Sequence, residues 1–232
     1  MMQTITRLFD THEEASNAVT ILEREGVRHD SISLISNNVD GRHGENNDTG
    51  EGAAKGATTG GLIGGGAGLL AGLGMLAIPG LGPVVAAGWL ASTAVGALVG
   101  AAAGGATGGL LGALKDAGHS EEDANIYAEG VRRGGSLVSI KSDRPDEIAT
   151  AKTVLAATGG VEAAQRGAVY RESGWSRFDE AAQPYSPAEI AAERNRYAES
   201  RSFQEAGERD LTAEDGVTTL TPSRSDPTIP PI

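Results

Sequence analysis

The chain has no cysteine in its 232 residues. Disulfide frameworks, thiolate nucleophiles, zinc–cysteine sites and iron–sulfur clusters are therefore excluded. Aromatic residues make up only 4% of the sequence, so a large core must be built from small aliphatic side chains. Basic residues are also few, 19 against 31 acidic ones, and the formal charge of -12 argues against a broad surface for nucleic acid. No nucleic-acid partner is expected.

Charge is absent from one long segment of the chain. The 59 residues from Gly56 to Leu114 contain no Asp, Glu, Lys or Arg, and 19 of them are glycine. Two prolines and two glycines between Ile78 and Pro83 interrupt the segment and predict a turn. We therefore expect two apolar helices, about 56–77 and 84–114, arranged as a helical hairpin.

Glycine recurs at every fourth position in both halves of this segment. Residues four apart share one face of a helix, so each glycine ladder is a smooth groove in which a second helix packs closely. Each glycine inside a helix costs about 0.5–1 kcal/mol relative to alanine, and close packing must offset that cost. Gly88 and Ser92 extend the second ladder upstream. The predicted helix-packing residues are Gly56, Gly60, Gly64, Gly68, Gly72, Gly96, Gly100, Gly104, Gly108 and Gly112.

Two environments suit such a hairpin. The first helix, of about 22 residues, would rise about 33 Å, which matches a hydrocarbon core of about 30 Å. Lys55 and Lys115 flank the segment while its turn is uncharged. We therefore predict transmembrane helices that insert in or associate with the cytoplasmic membrane, contact lipid and leave both termini in the cytoplasm. The alternative is a soluble cytoplasmic homo-oligomer with the hairpin buried at subunit contacts.

The residues on either side of the hairpin alternate between strand and helix patterns. Thr11 and Glu14 form a capping box at the start of one helix, and Ser120 precedes three acidic residues at the start of another. The predicted strands are 4–9, 31–36, 136–141 and, weakly, 161–165. Two β-α-β-like halves predict an α+β fold, a small ferredoxin-like sandwich split by the inserted glycine-rich helical hairpin. The strand order is left open.

Composition divides the chain into six segments. The last two are rich in charge and poor in apolar residues, and the final one ends with Pro227, Pro230 and Pro231. The predicted segments are 1–36, the first half of the α+β domain; 37–52, a polar loop; 53–118, the glycine-zipper hairpin; 119–170, the second half of the domain; 171–209, a charged helical extension; and 210–232, a disordered tail.

One run resembles a known family. Residues 127–140 read Tyr-Ala-Glu-Gly-Val-Arg-Arg-Gly-Gly-Ser-Leu-Val-Ser-Ile. This run resembles the signature of the general stress protein 17M-like (heat-induced stress protein) domains, in which a helix ending Tyr-x-Glu-Gly-Val-x-x-Gly-Gly leads into a strand. The similarity extends over about residues 3–170 and includes a glycine-rich insertion. The resemblance implies a stress-linked, non-enzymatic protein and supplies no catalytic residues.

The remaining motifs give little support to catalysis. GxGxxA matches in the glycine-rich segment follow no strand and lack the acidic residue of a dinucleotide site. We expect no catalytic residue, cofactor or metal, although His43 and His119 flank the hairpin and leave a metal site as a weaker alternative. Arg132 and Arg133 are candidates for contact with an anion or a lipid head group, or simply favourable charges at a helix C-terminus. An enzyme or small-ligand-binding protein on the ferredoxin-like sheet is the third alternative.

Overall fold

The computed structural model describes residues 2–41, 74–94 and 109–198. The chain divides into two compact units, Met1–Arg194 and Asn195–Ile232. Of the second unit, the described residues 195–198 are helical. The sheet and the helices described below belong to the first unit.

Five described strands form one sheet. They are β1 (Gln3–Phe9), β2 (Ile32–Asn37), β3 (Gly74–Ile78), β4 (Gly82–Gly88) and β5 (Ser136–Ser142). Their order across the sheet is β1-β5-β2-β4-β3, and every neighbouring pair is antiparallel. The predicted α+β class is therefore confirmed.

Seven helices accompany the sheet in the described part of the chain. They are α1 (His12–Arg24), α2 (89–94), α3 (Leu110–Asp116), α4 (Glu121–Arg132), α5 (Pro145–Ala157), α6 (Ala163–Glu172) and α7 (187–194 within this unit), with a short 3-10 helix at His29–Ser31. The capping predictions are confirmed for two of them. The Glu14 amide donates to Thr11 Oγ1 (3.1 Å) in a complete capping box, and the Asp123 amide donates to Ser120 Oγ (3.0 Å).

Helices cover both faces of the sheet. Ile5 and Phe9 of β1 point to one face, where they join an apolar cluster with the buried residues of α1 and α5. Because successive strand residues point to opposite faces, Leu8 points to the other one. There it lies against Gly130 of α4, so closely that a Cβ at position 130 would be 2.4 Å from Leu8 Cδ2. The core is thus a sheet between two helical layers.

The predicted tip of the helical hairpin is a β-hairpin. β3 and β4 are joined by the turn at 79–81, and β4 pairs with β2 from Asn37↔Val84 to Ser33↔Gly88. The turn prediction is right, but the helix boundaries at 77 and 84 are wrong. The run Val84–Ala87 is buried throughout, and a short apolar run fits a buried strand as well as a helix. The rest of the predicted hairpin, 56–73 and 95–108, lies outside the described residues.

The membrane prediction is wrong for the part of the chain that the structure describes. Within residues 2–41, 74–94 and 109–198, no helix combines the length and the apolar character needed to cross a bilayer. The segment expected to form the end of one transmembrane helix and the start of the other is instead part of the sheet. The predicted transmembrane hairpin in the cytoplasmic membrane is therefore withdrawn.

The predicted weak strand at 161–165 is reduced to one residue. The Leu8 amide donates to the Val161 carbonyl (3.0 Å), and the Val161 amide donates to the Leu8 carbonyl (2.8 Å). Helix α6 begins two residues later, at Ala163. Val161 therefore makes an isolated antiparallel bridge to the side of β1 that faces away from β5.

Glu147 ties the start of α5 to the segment that precedes β2. Its buried carboxylate accepts hydrogen bonds from Ser142 Oγ (2.5 Å) and from Arg28 Nε (3.1 Å). Burial acts to raise the pKa of this carboxyl, but the hydrogen bonds from Ser142 Oγ and from the Arg28 backbone amide (3.4 Å), with the charges of Arg28 and Arg144, outweigh burial and lower the pKa below its ordinary 4.5. The ionised form is therefore the one that the folded state favours.

We expect Glu147→Gln to cost about 1–2 kcal/mol at pH 7, because it removes a charged acceptor from buried hydrogen bonds. Since the folded pKa is depressed, this contribution is fully present above the unfolded pKa of 4.5 and is lost as pH falls through the lower folded value. Urea unfolding of both proteins from pH 7 to pH 3 should show the two stabilities converging below about pH 4.5. Glu13→Gln, an exposed first-turn carboxylate, is the control. A difference that does not change with pH would contradict the account.

Candidate functional site

The residues of the family-like run lie at the C-terminal end of α4 and lead into β5. Gly134 has φ +94°, and a Cβ at that position would lie 2.2 Å from Ile190 Cγ2 of α7. Tyr127 of α4 donates its hydroxyl to the Thr6 carbonyl of β1 (2.9 Å). The glycines and the tyrosine of this run therefore position three neighbouring elements.

Glu129 is a fully buried carboxylate between two arginines of the same run. Its Oε1 accepts from Arg133 Nε (2.7 Å), and its Oε2 accepts from Arg132 Nη1 (3.2 Å). These residues are three and four positions apart, so helical geometry places their side chains together. Arg133 also donates to Glu193 Oε2 of α7 (3.3 Å), and both of those side chains are 7% exposed. The two candidate anion-binding arginines thus already contact acceptors within the chain.

A second buried ion pair is linked to this region through Arg194. Arg166 of α6 donates to Asp10 Oδ1 (2.5 Å), and both residues are buried. Arg194 of α7 donates to the Asp10 carbonyl (3.2 Å) and to the Gly134 carbonyl (3.1 Å). We call Asp10, Glu129, Arg133, Arg166 and Glu193 the ionic cluster. It joins the end of β1 to helices α4, α6 and α7.

Aromatic rings complete the surroundings of the two arginines. The Arg133 guanidinium lies 4.4 Å from the Tyr170 ring centroid, and the Arg132 guanidinium lies 5.0 Å from that of Tyr185. Trp175 packs edge-on against Tyr170 with 5.6 Å between the ring centroids. Both arginines therefore combine ionic with cation–π contacts.

A row of hydroxyl groups crosses the sheet face under α4. Thr6 Oγ1 lies 2.9 Å from Ser139 Oγ and 2.7 Å from His119 Nε2. Burial lowers the pKa of His119, although the nearby Asp123 charge opposes the shift, and burial raises the pKa of Tyr127 to about 12. Both groups are uncharged at neutral pH, and the two hydroxyls are almost completely buried. This row can hold the sheet and α4 together, but it presents no exposed nucleophile.

The glycine ladders fall largely outside the described residues. Of the ten predicted helix-packing glycines, only Gly112 is described, and it is half-buried in α3. Gly88, the upstream extension of the second ladder, ends β4 with φ +85°. His43 also lies outside the described ranges. Within those ranges, no cluster of three metal-binding side chains occurs.

Sequence reasoning missed four members of the ionic cluster, Asp10, Glu129, Arg166 and Glu193. Asp10 and Arg166 are 156 residues apart, and Arg133 and Glu193 are 60 apart, so no local pattern links them. The signal that could have singled out Glu129 is its place in the family-like run, where helix propensity alone does not require an acid. Comparison with known proteins adds no assignment, since no family model, curated protein or solved structure matches this chain.

Proposed function

We propose that the first unit is a ferredoxin-like domain related to the general stress protein 17M-like family. Adding the Val161 bridge to the sheet gives the order 161-β1-β5-β2, and α1 and α5 share one face. These features are consistent with a split β-α-β sandwich in which β3, β4, α2, α3 and α4 lie between the two halves. The contacts of Tyr127, Glu129 and Gly134 give the family-like run a structural role, which supports the relationship.

We further propose that the chain is a non-enzymatic scaffold that self-associates, with the uncharged segment at the contact between copies. The observation that carries this proposal is β3, the last strand in the described sheet, with Met75 60% exposed. In the described part of the chain, Met2 at 64% is the other exposed large hydrophobic side chain. An exposed methionine beside the N-terminus needs no special explanation, whereas one on an edge strand favours association.

The composition of β3 supports the same proposal. Sheet edges of monomeric proteins are usually protected by lysine, proline, a bulge or a covering element, because an open edge pairs with other chains. β3 reads Gly-Met-Leu-Ala-Ile and has none of these protective residues. It is, moreover, part of the segment without charge, so nothing in its sequence opposes pairing with an identical strand. Two copies joined edge to edge would extend the sheet across a two-fold axis.

Met75→Lys tests this proposal. Two antiparallel β3 strands would bring two lysines close together, and like charges at such positions destabilise strand pairing. We expect self-association to weaken about tenfold or more, which corresponds to about 1.4 kcal/mol. Sedimentation velocity over a range of concentrations measures the change. Met2→Lys is the matched control, and it should associate like the unmodified chain.

Two results would contradict the scaffold proposal. One is an unmodified chain that stays monomeric at every concentration. The other is a Met75→Lys variant that assembles as strongly as the Met2→Lys control. The glycine ladders remain a second predicted contact between copies. Gly64→Leu and Gly104→Leu would fill the two predicted grooves, and they should weaken assembly.

A further inference from the structure

Residues 175–194, which we call the strap, leave α6 and fold back over the family-like run. The strap contacts the body at separate points along its length. The Phe178 amide donates to Asn125 Oδ1 (3.1 Å), and the Gln183 carbonyl accepts from Arg132 Nη2 (3.2 Å). At the β3–β4 turn, a Cβ at position 82 would lie 3.0 Å from Pro184. Residues 175–186 contain neither helix nor strand, so this part of the strap depends on the body for its conformation.

Helix α7 contributes three further contacts between the strap and the body. Ile190 is 5% exposed and occupies the space that the absence of a side chain at Gly134 leaves open. Glu193 pairs with Arg133, and Arg194 donates to the Gly134 carbonyl. Positions 190, 193 and 194 are spaced i, i+3 and i+4, so one face of α7 makes all three contacts. The body therefore offers a niche for isoleucine with an arginine beside it for a carboxylate.

We infer that the C-terminal end of α4 is a binding site for a helical segment with isoleucine and glutamate three positions apart. Its own strap occupies the site, and the strap of a second copy can take the same place. All the strap contacts named above are non-covalent. The strap is joined to the body at its N-terminal end by Gly174, which has φ +82° and no atom within 4 Å of an added Cβ. Exchange of an identical element between copies is a common route to oligomers. This site is separate from β3 and does not depend on the scaffold proposal.

A labelled peptide tests the exchange. The probe is a fluorescent peptide with the sequence of residues 184–194, Pro-Tyr-Ser-Pro-Ala-Glu-Ile-Ala-Ala-Glu-Arg, added to the full-length chain. In the unmodified chain, the covalently attached strap competes at high effective concentration. In a chain carrying Ile190→Ala and Glu193→Gln, the attached strap is weakened while the site on α4 is intact. Fluorescence anisotropy should show the peptide binding about tenfold or more tightly to this variant than to the unmodified chain.

Two controls make the result specific. A peptide with the same two substitutions should bind neither chain, because it lacks the isoleucine and the carboxylate. Adding Gly134→Leu to the loosened chain fills the niche and should abolish binding of the unmodified peptide. Glu193→Gln alone, which keeps Ile190 in place, is the milder variant and should give intermediate affinity.

The inference is overturned if the loosened chain, folded by circular dichroism, binds the peptide no better than the unmodified chain does. It is also overturned if the Gly134→Leu substitution leaves peptide binding unchanged. If both the double variant and Glu193→Gln lose their cooperative unfolding transition, the strap is an inseparable part of the core, and exchange between copies is excluded.

Discussion

Replacing Gly88 with alanine should destabilise the protein by about 2–5 kcal/mol. Gly88 ends β4 with φ +85°, and a Cβ there would lie 2.3 Å from the Ile32 carbonyl oxygen and 2.8 Å from Ser33 Cα. These neighbours are backbone atoms of β2, so they cannot move aside without disturbing the β2–β4 pairing. Backbone strain and overpacking each cost about 1–3 kcal/mol. Urea unfolding followed by circular dichroism measures the loss.

Gly118→Ala is a control that separates the cost of the positive φ from the cost of the steric clash with β2. Gly118 has a similar φ of +95°, but no atom lies within 4 Å of an added Cβ, so this control should lose only about 1 kcal/mol. The sign of the Gly88 result also distinguishes the two interpretations of the segment. In a glycine-ladder helix, alanine would stabilise position 88 by about 0.5–1 kcal/mol. A Gly88→Ala variant more stable than the unmodified chain would contradict the assignment of position 88 to the end of strand β4.

The second large effect is expected for Glu129→Ala, at about 3–5 kcal/mol. Glu129 is fully buried and pairs with the Arg133 guanidinium, which is only 7% exposed. Its removal takes away one of the negative charges that compensate this buried positive charge. Breaking a buried ion pair by removing one partner is costly because a desolvated charge remains. Thermal and urea unfolding should both show the loss.

Glu122→Ala is the matched control for Glu129→Ala. It removes another carboxylate of α4, one that is 70% exposed and paired with Arg171 on the surface. Exposed pairs contribute at most about 1 kcal/mol. In the double variant Glu129→Ala with Arg133→Ala, part of the loss should be recovered, since the buried Arg133 charge is removed together with its Glu129 partner. Equal effects of Glu122→Ala and Glu129→Ala would show that the ionic cluster does not stabilise the fold.

Local sequence signals predicted the elements that local interactions determine. The capping box of Thr11 and Glu14 marked the start of α1, and the residues that α1 buries, Ala15, Ala18, Val19 and Leu22, are spaced as one face of a helix. Both features involve residues no more than about two helical turns apart, so they can be recognised within a short stretch of the sequence. The predicted strands 4–9, 31–36 and 136–141 match β1, β2 and β5 to within one residue for the same reason.

The β3–β4 hairpin was missed because its sequence fits two structures. Glycine at every fourth position predicts helix packing, and this spacing is regular over 56–72 and 96–112. It is much less regular between these two ranges, where β3 and β4 lie. Val84 and Val85 favour a strand, and the Pro-Gly turn joins strands as readily as helices. The pairing with β2, more than forty residues away, decided between the two, and local patterns contain no information about that pairing.

The ionic cluster could not be predicted for a related reason. Charged residues are normally expected on the surface, and burial becomes favourable only when a partner is present. Here Arg133 has one partner nearby, Glu129, but its second partner and the partner of Arg166 come from distant parts of the chain, α7 and the end of β1. A sequence displays the charges, but the fold brings the pairs together.

The most direct test of self-association through β3 is amide hydrogen exchange measured at low and high protein concentration. β4 lies between β2 and β3, so its amides serve as an internal reference that should stay protected at both concentrations. The β3 amides that are not bonded to β4 should exchange rapidly in dilute solution and become protected as the concentration rises. If those amides exchange at the same rate at both concentrations, the β3 edge does not join two copies.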